Sequence, residues 1–341
     1  MILVTGGAGF IGSNFVRDWL ARSDEPVLNL DALTYAGHPD NLAAVRDDPR
    51  HLFVHGDIRD RALLDALLAS HRPRAVLHLA AESHVDRSIA GPAAFIGSNV
   101  VGTGVLLEAV LAHWRTLPAP DREAFRFLHV STDEVYGDLP PDAPPATEDH
   151  PYAPSSPYSA SKAAADHLVQ AWHRTYGLPV LTTHSSNNLG PRQFAEKLVP
   201  RMIAQALAGR PLPLYGDGLQ QRDWLDVADH CAALRRVLEA GRPGRRYNVG
   251  SGHSRSNLAL VQALCTLLDQ LRPDPAGPHA RLIGFVADRP GHDRRYALDT
   301  RRIRTELGWA PQVPFDTALA RTLRWYLDHP ERLAAAPPAG P

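Results

Sequence analysis

Residues Ile2 to Val4 form a short apolar run that gives way to Gly6-Gly7-Ala8-Gly9-Phe10-Ile11-Gly12, and Ser13 to Ala21 then follows with helical spacing. Gly7, Gly9 and Gly12 satisfy the G-x-G-x-x-G pattern in the strand, turn and helix order that it requires. Glycines there let the backbone approach a pyrophosphate, which rests on a helix N-terminus whose free N–H groups and dipole favour anions. The next apolar run, Val27 to Leu30, ends in Asp31, 19 residues after Gly12. An acid at that distance can bind the two ribose hydroxyls and repels a 2′-phosphate, so the pattern predicts NAD rather than NADP.

The alternation continues down the chain. Leu52 to Val54 leads into Gly56-Asp57-Ile58, and Ala75 to Leu79 opens into Ala80-Ala81-Glu82-Ser83-His84-Val85-Asp86-Arg87. Asp57 is either a contact for the adenine end of the dinucleotide or a plain helix cap. Asn99 to Leu111 reads as a long helix, Phe127 to Val130 as a strand, Tyr158 to about Tyr176 as a helix, and Val180 to His184 as a strand ending in Ser185-Ser186-Asn187-Asn188. Such a series predicts an α/β fold: a Rossmann-type, doubly wound parallel sheet. Beyond it, short apolar pieces broken by Pro and Gly predict a smaller α/β substrate domain, whose arginines either grip phosphates or are solvated. The expected division is 1–185 for the cofactor and 186–330 mainly for substrate, with some segments returning to the first sheet and 331–341 a disordered tail. Seven prolines between Asp138 and Pro157 exclude a regular element and predict a surface loop able to lie over the site.

The chemistry-bearing stretch is Ser131-Thr132-Asp133-Glu134-Val135-Tyr136-Gly137, placed where the strand Phe127 to Val130 ends. Ligands of open α/β sheets bind outside the carboxyl ends of strands. Further on, Tyr158-Ser159-Ala160-Ser161-Lys162 sets a phenol and an ammonium on one helix face. A phenol titrates at about pH 10, and a neighbouring cation favours its phenolate, so Tyr158 with Lys162 can act as a base near neutrality. Asp133 and Glu134 add two carboxyls for further proton transfers.

Composition narrows the partners. The chain has 341 residues and a formal net charge of -1, which offers nothing to attract nucleic acid or an anionic membrane. The N-terminal strand leaves no stretch for a signal peptide, and no apolar run reads as membrane-spanning, so a cytoplasmic location is expected. Cys231 and Cys265 fall in apolar, helix-like stretches and read as reduced core residues. Of the 36 basic residues only Lys162 and Lys197 are lysine. A chain otherwise so consistent in using arginine retains an ammonium at those two places, where a compact, tunable charge differs from a planar fork.

Thr5 to Gly12, Asp31 to Gly37, Leu79 to Ser88, Ser131 to Gly137, Ser156 to Lys162 and Asp288 to Tyr296 resemble the dTDP-glucose 4,6-dehydratases, nucleotide-sugar enzymes of the extended short-chain dehydrogenase/reductase superfamily. The resemblance runs from Met1 to about Tyr326. Its glycine turn and Tyr-x-x-x-Lys belong to the whole superfamily, whereas the adjacent Asp133-Glu134 is selective for dehydration. By this resemblance Tyr158 deprotonates the sugar 4-hydroxyl, Lys162 supports it, Thr132 hydrogen-bonds that hydroxyl, Glu134 takes the C5 proton and Asp133 assists loss of the C6 hydroxyl. It implies that Gly6, Gly7, Gly9, Phe10, Ile11, Gly12, Asp31, Ala32, Leu33, Thr34, Asp57, Ile58, Leu79, Ala80, Ala81, Ser83, Ser98 and Asn188 face NAD, together with Tyr158 and Lys162. It further implies that Ser83, Thr132, Asn187, Lys197, Leu198, Pro213, Leu214, Tyr215, Arg222, Asn257, Asp288, Arg289 and His292 face a nucleotide sugar, dTDP-glucose above others. No metal is implied. A homodimer is, built on the helices Val100 to Leu111 and Ala163 to Trp172, whose apolar residues include Val101, Val105, Leu168 and Trp172. Leu189, Ala195 and Gln220 depart from the family's usual Tyr, Pro and Asn. A nucleotide-sugar epimerase or decarboxylase on the same fold is the rival enzyme reading; a catalytically silent NAD-binding protein has no use for Thr132, Asp133, Glu134, Tyr158 and Lys162 together.

Overall fold

The computed structural model describes residues 1–334. The strands, in chain order, are β1 (Ile2–Thr5), β2 (Val27–Asp31), β3 (His51–His55), β4 (Ala75–His78), β5 (Arg126–Thr132), β6 (Val180–Ser185), β7 (Asn187–Leu189), β8 (Leu212–Tyr215), β9 (Gln221–Asp226), β10 (Arg246–Val249), β11 (Ser254–Ser256) and β12 (Ile283–Val286). Seven of them form one parallel sheet in the order β10-β6-β5-β4-β1-β2-β3. The chain reverses its direction of travel across the sheet between β1 and β4, which opens a crevice at their carboxyl ends.

Successive side chains of these strands go to opposite faces, and both faces are covered. Ile2 and Val4 join Phe15, Trp19, Leu234 and Val237 in a core under the helices Phe10–Arg22 and Val227–Ala240. Leu3 joins Leu64, Leu68, Leu107 and Val110 in a second core on the other face. Burial on both sides is why these strands read as unbroken apolar runs. Cys231 is fully buried in the first core, with its Sγ 3.9 Å from the carbonyl of Ile11, and Cys265 is buried in a third core.

That third core belongs to a smaller layer. β11, β9 and β7 make one small sheet and β12 with β8 another. The helices Leu198–Leu207, Asn257–Leu271 and Phe315–Asp328 bury Val199, Ile203, Leu260, Leu264, Leu319 and Leu323 against Leu189 and Leu212. β10 and the helix Val227–Ala240 instead return to the large sheet.

The structure departs from the sequence reading in three places. Pro92–Thr116 is one continuous helix, long and apolar enough to cross a membrane by length and composition, contrary to expectation. Its glycines dilute the pattern in the sequence; in the fold its Leu106, Leu107 and Val110 are core residues, and Ile96–Gly102 is wound as a π-helix. None of residues 138–157, the proline-rich loop, lines the crevice. Ala146 bridges to Leu298, Asn248 Nδ2 donates to the Ala146 carbonyl at 2.8 Å, and Arg295 Nη1 donates to the carbonyls of Pro140 and Ala143. Side-chain donors thus dock carbonyls in a segment whose prolines cannot build a ladder. Third, the expected tail at 331–341 begins as packed chain: Pro330–Arg332 is a 3₁₀ turn and Leu333 is buried in the third core, while 335–341 lie outside the described residues.

Candidate active site

The crevice is a cleft of about 480 Å³ that runs from the glycine turn and Asp31 past Tyr158 and Lys162 to Asn187 and Lys197. Its dinucleotide end is built by close backbone approach. Gly6 has φ +75° and a Cβ there would sit 2.6 Å from the Ala80 nitrogen; a Cβ on Gly12 would sit 2.2 Å from the Gly6 carbonyl oxygen. Asp31 ends β2 and accepts from the amides of Ala8 and Leu33, each at 2.8 Å. Burial pushes its carboxyl up and those two amides oppose the push. Phe10, Ile11, Ala32, Thr34, Ile58, Leu79, Ala80, Ala81 and Ser98 line the same wall. A turn too crowded for side chains, backed by a buried carboxylate at the end of β2, fits a dinucleotide pyrophosphate and its ribose.

Three residues expected along this wall have other positions or partners. Gly7 faces away from the cleft, where a Cβ would strike Asn29 Oδ1 at 2.2 Å, so it allows packing onto β2. Leu33 has φ 49°, and this left-handed turn carries its side chain onto the first core instead of the cleft. Asp57 does line the cleft, but it is not the cap of the next helix: Asp60 accepts from Leu63 N there, while Asp57 accepts from Arg59 N at 2.8 Å and pairs with the Arg59 guanidinium at 2.6 Å. Arg59 is itself a cleft residue that sequence reasoning missed.

The catalytic end comes from two elements. Thr132 is the last residue of β5 and its hydroxyl accepts from Glu134 N at 3.3 Å, starting the 3₁₀ turn Asp133–Tyr136. Gly137 ends that turn at φ 74°, against the Ala153 carbonyl. The helix Pro157–Tyr176 opens with Ser156 and Ser159 in a reciprocal capping box and proline in the first turn, which fixes Tyr158 at its start and Lys162 one turn on. The Tyr158 amide donates to Ser88 Oγ at 3.2 Å, and its ring packs edge-on against Phe95.

Electrostatics separates the two carboxyls. Burial, then the charge of Glu134, pushes Asp133 well above the carboxylate range, and its Oδ2 is buried with no partner among the described residues. Burial also raises Glu134, but Arg289, Arg222 and Lys197 pull it back. One carboxyl is therefore suited to hold a proton and the other to lose one. The Tyr158 phenol is pushed up by burial and then by Glu134, with the Thr132 hydroxyl opposing. Lys162 Nζ donates to the Val130 carbonyl at 2.8 Å, and burial lowers its own pKa to about 8. Lys197 Nζ donates to the Ser83 carbonyl at 2.7 Å.

Ser83, Asn187, Asn188, Lys197 and Leu198 line the cleft, as do two residues the sequence did not suggest, Trp224 and His230. His230 bridges Asn188 Oδ1 at 3.0 Å and Ser185 Oγ at 2.7 Å, and burial lowers it to about 3, so it is neutral. Thr132 lines the cleft too, whereas the remaining expected substrate residues, Pro213, Leu214, Tyr215, Arg222, Asn257, Asp288, Arg289 and His292, do not. Leu214 is turned into the third core by strand alternation, while Pro213 and Tyr215 point the other way. Tyr215 Oη donates to Asp86 Oδ2 at 3.0 Å and Arg289 Nη1 pairs with Asp86 Oδ1 at 2.9 Å. Arg222 is buried over the Tyr296 ring and donates to the Asp293 carbonyl, His292 pairs with Asp288 at 2.6 Å, and Asn257 starts its helix with Oδ1 buried. Arg222 and Arg289 still act on the Glu134 carboxyl, so this group stands at the rim of the catalytic end. Leu189 and Ala195 are buried apolar side chains, and Gln220 Nε2 donates to Asp288 Oδ2 at 3.0 Å.

A family profile described as GDP-mannose 4,6 dehydratase matches residues 3–322. A dTDP-glucose 4,6-dehydratase of Xanthomonas campestris is 60% identical over 326 residues, 95% of this chain and 92% of that protein. The chain belongs to the dTDP-glucose 4,6-dehydratase family. Another member, from Neisseria gonorrhoeae, is 56% identical over 334 residues, with 97% and 96% of the two chains covered. Among solved structures, the family member DesIV of Streptomyces venezuelae, which has NAD bound, superposes with a TM-score of 0.87 at 48% identity, covering 97% of this chain and 98% of that one.

Proposed function

We infer that this chain is an NAD-dependent nucleotide-sugar 4,6-dehydratase that converts dTDP-glucose to dTDP-4-keto-6-deoxyglucose. The observation that carries the reading is the turn Thr132-Asp133-Glu134 at the carboxyl end of β5, set in one cleft with Tyr158 and Lys162. The glycine turn, Asp31, Thr34 and Ile58 would hold NAD, with Lys162 and Asn188 toward its nicotinamide end. When bound, NAD supplies the hydride acceptor for C4, the hydride donor for C6 and a positive ring within the cleft.

Each residue's part follows from its surroundings. Tyr158 takes the proton of the 4-hydroxyl, which Thr132 orients; burial and Glu134 raise the phenol, and a cation beside it favours the phenolate that acts as the base. The 4-keto group acidifies C5, and Glu134, held toward its ionised form by Arg289, Arg222 and Lys197, removes that proton. Asp133, kept protonated by burial and by Glu134, gives its proton to the departing C6 hydroxyl. NAD ends as it began and is expected to stay bound through turnover. Arg222 and Arg289 are placed to meet the diphosphate, with residues 1–185 serving the cofactor and 186–330 mainly the sugar nucleotide. The protein is expected to work in the cytoplasm as a homodimer; the support for pairing is Val101 and Ile96, which stand 53% and 54% exposed on the Pro92–Thr116 helix. Val105, Leu168 and Trp172, expected at that contact, pack against the second core of their own chain.

The test is incubation with dTDP-, UDP-, GDP- and CDP-glucose, following the 4-keto-6-deoxy product by its absorbance in alkali. dTDP-glucose should give the fastest signal without added stoichiometric NAD. Formation of an epimer with no 4-keto product would sink the reading in favour of an epimerase.

A further inference from the structure

Under Tyr158 and Lys162 lies a buried polar cluster that the chemistry above does not use. Asp166 follows Lys162 by one helical turn, so both side chains leave the same helix face toward β5. Lys162 Nζ donates to the carbonyl of Val130, and Ser131 Oγ donates to Asp166 Oδ2 at 2.9 Å. Two residues one turn apart thus grip consecutive residues of the strand that ends in Thr132. Asp166 also receives Tyr152 Oη at 3.0 Å from the proline-rich loop, and has His184 Nε2 of β6 and His129 Nε2 of β5 each at 3.1 Å. All these groups are buried or half-buried, and Asp166 itself does not line the cleft.

Burial works to raise Asp166, but the imidazoles of His129 and His184 hold it well below the usual carboxylate range. Lys162 is lowered by its own burial, and Asp166 is the charge that opposes this. The other groups around the pair do not supply one. His78 of β4 and His129 are driven down, first by burial and then by neighbouring His129 or Lys162. Tyr136 bonds His184 Nδ1 at 3.0 Å, and Tyr136 and Tyr152 are pushed up by burial, with Arg246 opposing from β10.

We propose that Asp166 is a positioning residue: clamped by Ser131, Tyr152 and His184, it holds Lys162 as an ammonium and keeps the helix of Tyr158 and Lys162 in register on β5. This rests on the dehydratase reading only for its catalytic consequence, since the charge of Lys162 can be read without substrate.

The sequence holds two lysines, so protein labelled with ¹³C at the lysine Cε gives two side-chain signals, which Lys197→Arg assigns. In the wild-type protein Lys162 should titrate at about pH 8. Asp166→Asn should move that midpoint to lower pH, and the alkaline limb of kcat/KM should move with it, about ten-fold in rate per pH unit on the falling side. Asp166→Ser, smaller and equally uncharged, should act alike if the first variant folds poorly. Ser131→Ala removes a donor but keeps the charge and should not lower the midpoint. An unmoved Lys162 in both uncharged variants, or an equal fall in Ser131→Ala, overturns the proposal.

Discussion

Glu134 and Tyr158 differ by a step, and single substitutions should separate them. Glu134→Gln keeps the shape and removes the C5 base, so turnover should fall by about 10² to 10⁴. C4 oxidation would persist, and mixing with dTDP-glucose should leave the near-ultraviolet band of reduced nicotinamide; Tyr158→Phe should give no such band. Wild-type turnover by Glu134→Gln would return the elimination step to other residues. A pH effect follows from Arg289. Glu134 must be ionised, so activity is lost as pH falls through a pKa that burial has raised and Arg289 opposes. Arg289→Gln should therefore carry the acid limb of kcat to higher pH, and a limb that stayed in place or moved down would contradict the placement of that arginine. The same substitution frees Asp86 from its pairing with Arg289, so the substrate KM reports the rim separately from the pH limb.

Elements that announced themselves locally were legible: the glycine turn, the strand ending at Asp31, the capped helix at Tyr158 and the polar turn after β5 each carry their signal within a few residues. What depended on distant partners was not. β10, Arg246–Val249, carries no strand-length apolar run, and only its pairing with β6 brings it into the large sheet. Leu214 was indistinguishable from Pro213 and Tyr215 until the register of β8 fixed which side faces the core. The cluster around Asp166 draws on β5, β6, a loop and a helix, so no spacing in the sequence could reveal it. The capping box gives a prediction for the helix itself: Ser156→Ala should cost about 1 kcal/mol and lower the melting temperature accordingly. A variant as stable as wild type by chemical denaturation would mean that Pro157 and the Ser88 contact suffice to start that helix.

For the molecule as a whole, the exposed apolar face is the structural fact left to explain. Ile96 and Val101 are each more than half exposed on the π-helical turn, and Ile89, on the preceding helix Val85–Ala90, is 38% exposed. Exposed aliphatic groups of this kind favour a partner, and the dimer proposed here would cover those of the helix. Val101→Asp should shift light-scattering mass from dimer to monomer at micromolar protein while leaving the fold intact by circular dichroism. A monomer mass for the unaltered chain would refute the dimer outright. The buried side of that helix carries Asn99, whose amide joins Glu82 of the cleft to Ser161 of the catalytic helix, so loss of pairing is expected to reach turnover as well as mass.

Cys231, sealed between two helices beside the dinucleotide turn, turns the fold into its own clock. Its thiol is pushed well above the ordinary value by burial and then by Asp18 and Asp226, so it cannot react with a disulfide reagent while the helices stay closed. Each modification event counts one local opening, and the rate in excess reagent measures how often the wall behind the cofactor parts. A dinucleotide that binds only the closed form should slow that rate in proportion to 1 + [NAD]/Kd, giving the cofactor's affinity without any sugar or turnover. Cys265, far off in the third core, would tick independently and serve as the internal standard.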